Sequence, residues 1–322
     1  MNSSSDIRSF VRPLAAAVLA VAVGLTFGAL RAHAAFPGDN GDIAYARYFD
    51  KGLHIFSYDP ATGKSTQLTT NALRGDAYSV AAGHPSFGPT GKRIVFTNAV
   101  QTKAIGGRRN DVYVMRADGS HVKRLTHTPD GEYLPSFTAD GRYVAYSLHG
   151  KTYLVRSSGK GKRTELTAEL PRGGVGATFS ADGTKVAVTS SDGGDSDIFV
   201  MDLDGIHASN PVNITASSDA YEYSPDFSPD GSRIAFISDR DDTYGDLFTM
   251  AADGSDVVTV AAAEGLEAAA PAYSPDGTQI AYETRLRKSG AIQVVTIPAE
   301  GGQPQPLKKS GPVSEEPSWG VG

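Results

Sequence analysis

The sequence predicts an all-β protein, a six-bladed β-propeller of four-stranded antiparallel blades, with its ring closed by a C-terminal strand over 314–320. Three observations carry this. One motif recurs without gaps along most of the 322-residue chain. Glycine and proline, at 36 and 18 residues, together exceed the roughly 12% of an average protein and punctuate the backbone with turns. Beyond residue 35 no stretch keeps a helical apolar period.

The first element, residues 1–34, reads as a secretory signal peptide. Arg8 and Arg12 precede the apolar run Pro13 to Leu30, and Ala32-His33-Ala34 is a small-x-small cleavage site. The run has 18 residues, the length at which an uncleaved anchor is the competing reading. Cleavage after Ala34 removes Arg8, Arg12, Arg31 and Asp6 and takes the formal charge from −6 to −8. No second long apolar run follows, so residues 35–322 are expected to be secreted or periplasmic, without membrane insertion.

The repeats come next. PSFGPTGKRIVF from Pro85, PSFTADGRYVAY from Pro135, ATFSADGTKVAV from Ala177, PDFSPDGSRIAF from Pro225 and PAYSPDGTQIAY from Pro271 align directly, and FPGDNGDIAY from Phe36 is a shorter version. Their turn glycines, Gly41, Gly91, Gly141, Gly183, Gly231 and Gly277, divide the chain into blades at about 36–84, 85–134, 135–176, 177–224, 225–270 and 271–316. Within a repeat, an aromatic strand enters a glycine turn that supplies positive φ. An alternating second strand follows, then a β-branched and aromatic third strand such as Asp197-Ile-Phe-Val-Met, a second turn such as Asp204-Gly205, and a fourth strand ending in Leu125-Thr126 or its equivalents. Glu316-Pro317-Ser318-Trp319-Gly320 repeats the first-strand motif at the end of the chain, which predicts that 314–320 is the innermost strand of the first blade.

The SPDG cores of Ser228 to Phe236 and Ser274 to Tyr282, with the preceding P-x-aromatic and the following Asp-Leu-Phe-x-Met-x-x-Asp-Gly, resemble the WD40-like (PD40) repeats of TolB-like propellers. The resemblance covers essentially all of 35–322. It implies a small exported propeller with a central channel, without the N-terminal α/β domain that full TolB proteins carry. Relatives of this kind serve as exported protein-binding modules, as lids of serine peptidases and, with a channel metal, as polysaccharide lyases; the fold alone does not choose among them.

Most chemistry is excluded directly. With no cysteine there is no disulfide framework, thiolate metal site or cysteine nucleophile. The acidic balance argues against nucleic acid as a partner. No G-x-S-x-G elbow, Walker loop or H-E-x-x-H pair occurs. What stands out is charge sorted by repeat position. The six connections that lead into the innermost strands hold Asp76, Asp130, Glu132, Glu169, Asp219, Glu222, Glu264, Glu267, Glu315 and Glu316 against Arg74, Arg172, Lys308 and Lys309. Loops gathered at one end of a rigid scaffold commonly bind ligands. The expected ligand site is therefore the channel rim: Asp76, Glu132, Tyr133, Tyr221, Glu222, Glu267, Glu315 and Glu316, with Tyr78 and Tyr223 as further amphipathic contacts. A monomer that binds an exported or envelope protein or peptide is expected, with no catalytic residue and no cofactor firmly implied. The competing expectation is a metal-assisted carbohydrate lyase or hydrolase with a divalent cation in the channel, for which Glu132, Glu222, His84 and His127 are the candidate ligands.

Overall fold

The computed structural model describes residues 33–50, 52–70, 78–101, 108–191, 194–216, 219–241, 244–262, 265–308 and 314–322. The leader's apolar run and Asp76 lie outside them. No helix occurs among the described residues.

The repeated motif folds as it does because its aspartate organises the turn. In the fifth repeat the Ser228 hydroxyl and the Ser232 amide both donate to Asp230 Oδ1, at 2.6 and 3.0 Å, and hold that carboxyl below its usual pKa. Gly231 N donates to the Ser228 carbonyl at 2.8 Å and Gly231 takes φ 72, while Ser228 N reaches the Arg233 carbonyl. This is a type I turn closed by a left-handed glycine, with four residues between Ser228 and Arg233, rather than a two-residue primed turn. Thr138–Asp140, Ser180–Asp182 and Ser274–Asp276 repeat the hydroxyl contact at 2.6–2.7 Å.

The fourth strands are short, down to Lys123–Arg124 and Thr164–Glu165. They end where the predicted threonine turns its hydroxyl to the third strand: Ile55 N, Val112 N, Thr152 N and Ile198 N donate to Thr69, Thr126, Thr167 and Thr215 Oγ1 at 2.8–3.1 Å. One hydroxyl thus continues the ladder where the backbone leaves it.

Hydrogen bonding divides the described strands into five sheets, which corrects the expectation of six separate ones. Four are individual blades that run outward in chain order from an innermost strand: Tyr133–Phe137, Val175–Phe179, Glu222–Phe227 and Leu266–Tyr273. The fifth is an eight-stranded path. It starts at Ser314–Val321, passes through Asn40–Phe49 and Gly52–Asp59, and continues into Tyr78–Phe87, Arg93–Gln101, Arg108–Arg116 and Lys123–Arg124; Lys64–Gln67 pairs beside Gly52–Asp59. Its two halves join through a single parallel bridge, Leu53 to Ala81. The cause is length: Tyr78–Phe87 has ten residues and reaches past its own blade, whereas Tyr133–Phe137 has five. The C-terminal strand pairs antiparallel with Asn40–Phe49, Ile43 facing Trp319 and Ala44 facing Ser318.

Among the described residues, buried apolar side chains fall into six clusters, each built mainly from two consecutive repeats, with Phe36 and Ala35 joining two of them. Val95, Val112 and Leu125 meet Phe137, Val144 and Tyr146 in one; Ala187 and Ile198 meet Phe227, Ile234 and Phe236 in another. Ala281 and Val294 of the last repeat meet Ile43, Tyr45 and Trp319, so the packing returns to its start. Neighbouring residues of one strand serve opposite clusters, as Val144 and Ala145 do, because side chains alternate across a sheet. These features make the molecule an all-β propeller of four-stranded antiparallel blades. One element is unforeseen: His33–Ala34 pairs parallel with Glu222–Phe227 inside the ring.

Candidate functional site: the channel rim

Each innermost strand begins at the rim, so the connections into it share one face with the hairpins between second and third strands. A left-handed residue kinks each of these strands where the motif opens: His84, Leu134, Gly176, Ser224, Ala270 and Glu316 all have φ between 52 and 66. Register shifts in the ladders mark the same places as β-bulges. A bulge re-aims the side chains ahead of it, and two positions upstream stand Glu132 and Glu222, both fully buried.

Glu132 accepts from Thr126 Oγ1 at 3.1 Å and from the Thr128 hydroxyl. Burial pushes its carboxyl up to about 7, against the lowering effect of Thr128, and the nearby Asp111 adds to the rise. Asp111 is itself buried and held by Arg124 Nη2 at 2.8 Å. Its own pKa is also raised by burial despite that partner. Glu222 occupies the matching place in its repeat and accepts from Ser238 Oγ at 3.1 Å and from Arg240 Nη2 at 3.0 Å. The Arg240 guanidinium lies over the Phe236 and Phe248 rings, which fixes its position. Glu316 is buried, accepts from the His84 amide and lies 3.6 Å from His84 Nε2. The other ring nitrogen of His84 contacts Thr97 Oγ1 at 2.9 Å.

The remaining predicted positions are more open. Tyr133 is exposed, and Tyr221, Glu267 and Glu315 are half-buried. Asp239 accepts the Tyr221 amide at 2.8 Å. Tyr223 has its hydroxyl pKa pushed up by burial and by Glu267 nearby. His127 is exposed. Sequence reasoning missed Asp111, whose charge raises Glu132, and the two arginines, Arg124 on Asp111 and Arg240 on Glu222. A signal existed for the first of these, since Asp111, Asp197 and Asp246 recur at the head of the third strand.

Among the described residues no three His, Asp or Glu side chains come together to hold an ion. Of the four candidates, Glu132 and Glu222 receive hydroxyl and guanidinium donors, His84 engages Thr97 and Glu316, and His127 is exposed, with its charge acting on Asp111.

The face is distinctive in its aromatic residues. Tyr48, Phe49, Tyr133 and Tyr244 are the exposed aromatics among the described residues, at 44–58% accessibility, and all four lie on the rim side, as does exposed Leu286. Arg287 stacks on Tyr244 at 3.4 Å and Arg47 lies over Phe49 at 5.6 Å. Aromatics and arginines together are the composition of protein-contact surfaces.

Comparison with known proteins agrees with this architecture. The family described as TolB beta propeller domain matches residues 149–321. A Protein TolB homolog of Chlorobium chlorochromatii is 28% identical over 181 residues, covering 55% of this chain and 39% of that protein. The Tol-Pal system protein TolB of Nitratidesulfovibrio vulgaris is 28% identical over 158 residues, 47% of this chain and 34% of that one. The chain thus spans well under half the length of these relatives. The crystal structure of TolB from Acinetobacter baumannii superposes with a TM-score of 0.70 at 20% identity, covering 89% of this chain and 68% of that one, a likeness of fold. With its repeats, its blades and a family match over more than half its length, the chain belongs to the TolB β-propeller domain family.

Proposed function

We propose that residues 35–322 form an exported six-bladed propeller that acts in the cell envelope or outside the cell, and that binds a protein or peptide on its rim face. The carrying observation is the confinement of the exposed aromatics, Tyr48, Phe49, Tyr133 and Tyr244, to the face that also bears the acidic connections. An apolar and acidic patch of this kind suits a partner with basic and apolar side chains. Six inter-repeat clusters and six left-handed bulges support the count of six, with the eight-stranded sheet taken as two blades joined at Leu53–Ala81. Pairing of Ser314–Val321 with Asn40–Phe49 supports closure by the C-terminal strand.

Roles divide by burial. Tyr133, Tyr221, Glu267 and Glu315, together with Asp76 on its connection, meet the ligand. Glu132, Glu222 and Glu316 shape the rim from beneath, through their threonine, arginine and histidine partners. The test is capture from envelope extract by the protein beginning at Ala35, beside a variant carrying Phe49→Ser, Tyr133→Ser, Glu267→Gln and Glu315→Gln. The reading requires a partner retained by the first and lost by the second while both keep the same thermal transition. Equal retention by the two would overturn it.

A further inference from the structure

The end of the channel away from the rim carries a second constellation. At the position after the motif's opening residue the six innermost strands place Ser86, Ser136, Thr178, Asp226, Ala272 and Ser318, all buried. Four of them tie neighbouring innermost strands together: Ser136 Oγ donates to the Ala177 carbonyl, Thr178 Oγ1 to Asp226, Tyr273 N to Asp226, and Phe87 N to Ser318 Oγ. Asp226 is the only carboxylate of the set. Its partners, Tyr273 N at 2.8 Å and Thr178 Oγ1 at 3.3 Å, are both neutral, and no cation pairs with it among the described residues. Ser86 Oγ, at the equivalent position of another innermost strand, is buried with no hydrogen-bond partner among those residues.

The occupant of this space is the chain itself. His33–Ala34 runs parallel to Glu222–Phe227, with His33 opposite Asp226 and Ala34 opposite Phe227. The next two residues are gripped by different blades. Ala35 packs with Ala235 and Tyr273, and Phe36 with Ala177 and Phe179; both are buried. Ala34–Ala35 is also the bond at which the leader is expected to be cut.

We propose that export processing turns this channel floor into a binding site for the chain's own new N-terminus, with the α-ammonium of Ala35 paired to Asp226 and the Ala35–Phe36 side chains plugging the channel. An export peptidase adds water across the Ala34–Ala35 amide. Ala34 departs with the leader as a carboxylate, and Ala35 keeps the nitrogen, largely protonated at neutral pH. The cut also removes His33 and Ala34 from beside Asp226 and opens the space that the ammonium takes. Because the bond lies inside the ring, the cut precedes ring closure. The charge logic is that of any buried ion: a carboxylate held only by neutral donors is costly, and burial pushes the Asp226 pKa well up, whereas an adjacent cation offsets that cost. The inference rests on processing after Ala34 and is independent of what binds the rim.

The test compares protein released from a fusion to begin at Ala35 with the same protein retaining Gly-Ser-Gly-Ser before Ala35, each as wild type, Asp226→Asn and Asp226→Ser. Asp226→Asn is expected to lower the Tm of the form starting at Ala35 by about 2 °C or more, and to leave unchanged or raise that of the extended form, from which it removes a carboxylate lacking a cation. Acylation of the α-amine at neutral pH, followed by mass spectrometry, should be at least tenfold slower in the wild type starting at Ala35 than in its Asp226→Ser counterpart. Serine stands at this position in three other innermost strands, as Ser86, Ser136 and Ser318, so that variant keeps the comparison open if the asparagine does not fold. Equal Tm shifts in the two forms, equal acylation rates, or an exported protein whose intact mass places its start elsewhere than Ala35 would each overturn the proposal.

Discussion

At the scale of single residues, the rim glutamates behave unlike surface charges. Glu132 is raised to about 7 in the fold against an ordinary value of 4.5, so between those pH values the folded protein binds a proton that the unfolded chain does not. Its contribution is therefore fully present below about pH 4.5 and is lost as the pH rises through 7, on the order of 3 kcal/mol. Glu132→Gln should flatten that decline, leaving the protein at pH 8 at least as stable as wild type; urea titrations of both proteins at pH 5 and pH 8 measure it. A decline of the same size in the variant would place the titrating group elsewhere. The sequence located Glu132 and Glu222 at matching positions from their distance to Pro135 and Pro225, but their burial was not legible. Which way a carboxylate points depends on the bulge at Leu134 or Ser224, and a residue before proline does not announce the sign of its φ.

At the scale of the strand and its turn, legibility was high because the code is local. Ser, Asp and Gly at fixed offsets determine the hairpin by hydrogen bonds that span only five residues. The same motif nevertheless sits in different surroundings. Gly231, at φ 72, has open space where a Cβ would stand, whereas at Gly91, φ 66, a Cβ would lie 2.0 Å from the Val321 carbonyl oxygen. Gly231→Ala should therefore cost only the left-handed penalty, about 1–2 kcal/mol. Gly91→Ala should cost clearly more, about 3 kcal/mol or above, because the C-terminal strand must shift. Thermal denaturation of the pair checks this, and equal losses would mean that the contact with Val321 is easily relieved. What the motif could not reveal is the Leu53–Ala81 bridge, since a join between blades depends on how far one strand extends beyond its own hairpin.

At the scale of the whole molecule, stability resides between repeats rather than within them. Phe227 is buried at the junction of two repeats, with Ala187, Ile198 and Phe236. Phe227→Ala should cost about 3–5 kcal/mol in a urea titration. A loss below about 1 kcal/mol would show that the neighbouring blade collapses into the gap. The four-stranded blade, its innermost strand and the aromatic pattern were readable from the recurrence of the motif, because successive repeats pack on one another in the same way. The exposed aromatics were only half visible. Tyr133 follows from its place in a connection, but Tyr48, Phe49 and Tyr244 belong to other hairpins and join it only when the ring brings those loops to one side.

The pairing of Ser314–Val321 with Asn40–Phe49 has one more consequence. Gly322 N donates to the Asp39 carbonyl at 2.9 Å, and Asn40 faces Val321 in the ladder. The ring therefore has no intrinsic first blade, and the covalent order of its repeats is a matter of where the backbone happens to be cut. A circular permutant that keeps Ala35 and Phe36, links Gly322 to Ala35 through a glycine-serine tether and opens between His149 and Gly150, an exposed hairpin tip, should refold with a single cooperative transition and an unchanged circular dichroism spectrum. Failure to refold would mean that blade formation must begin from the native start.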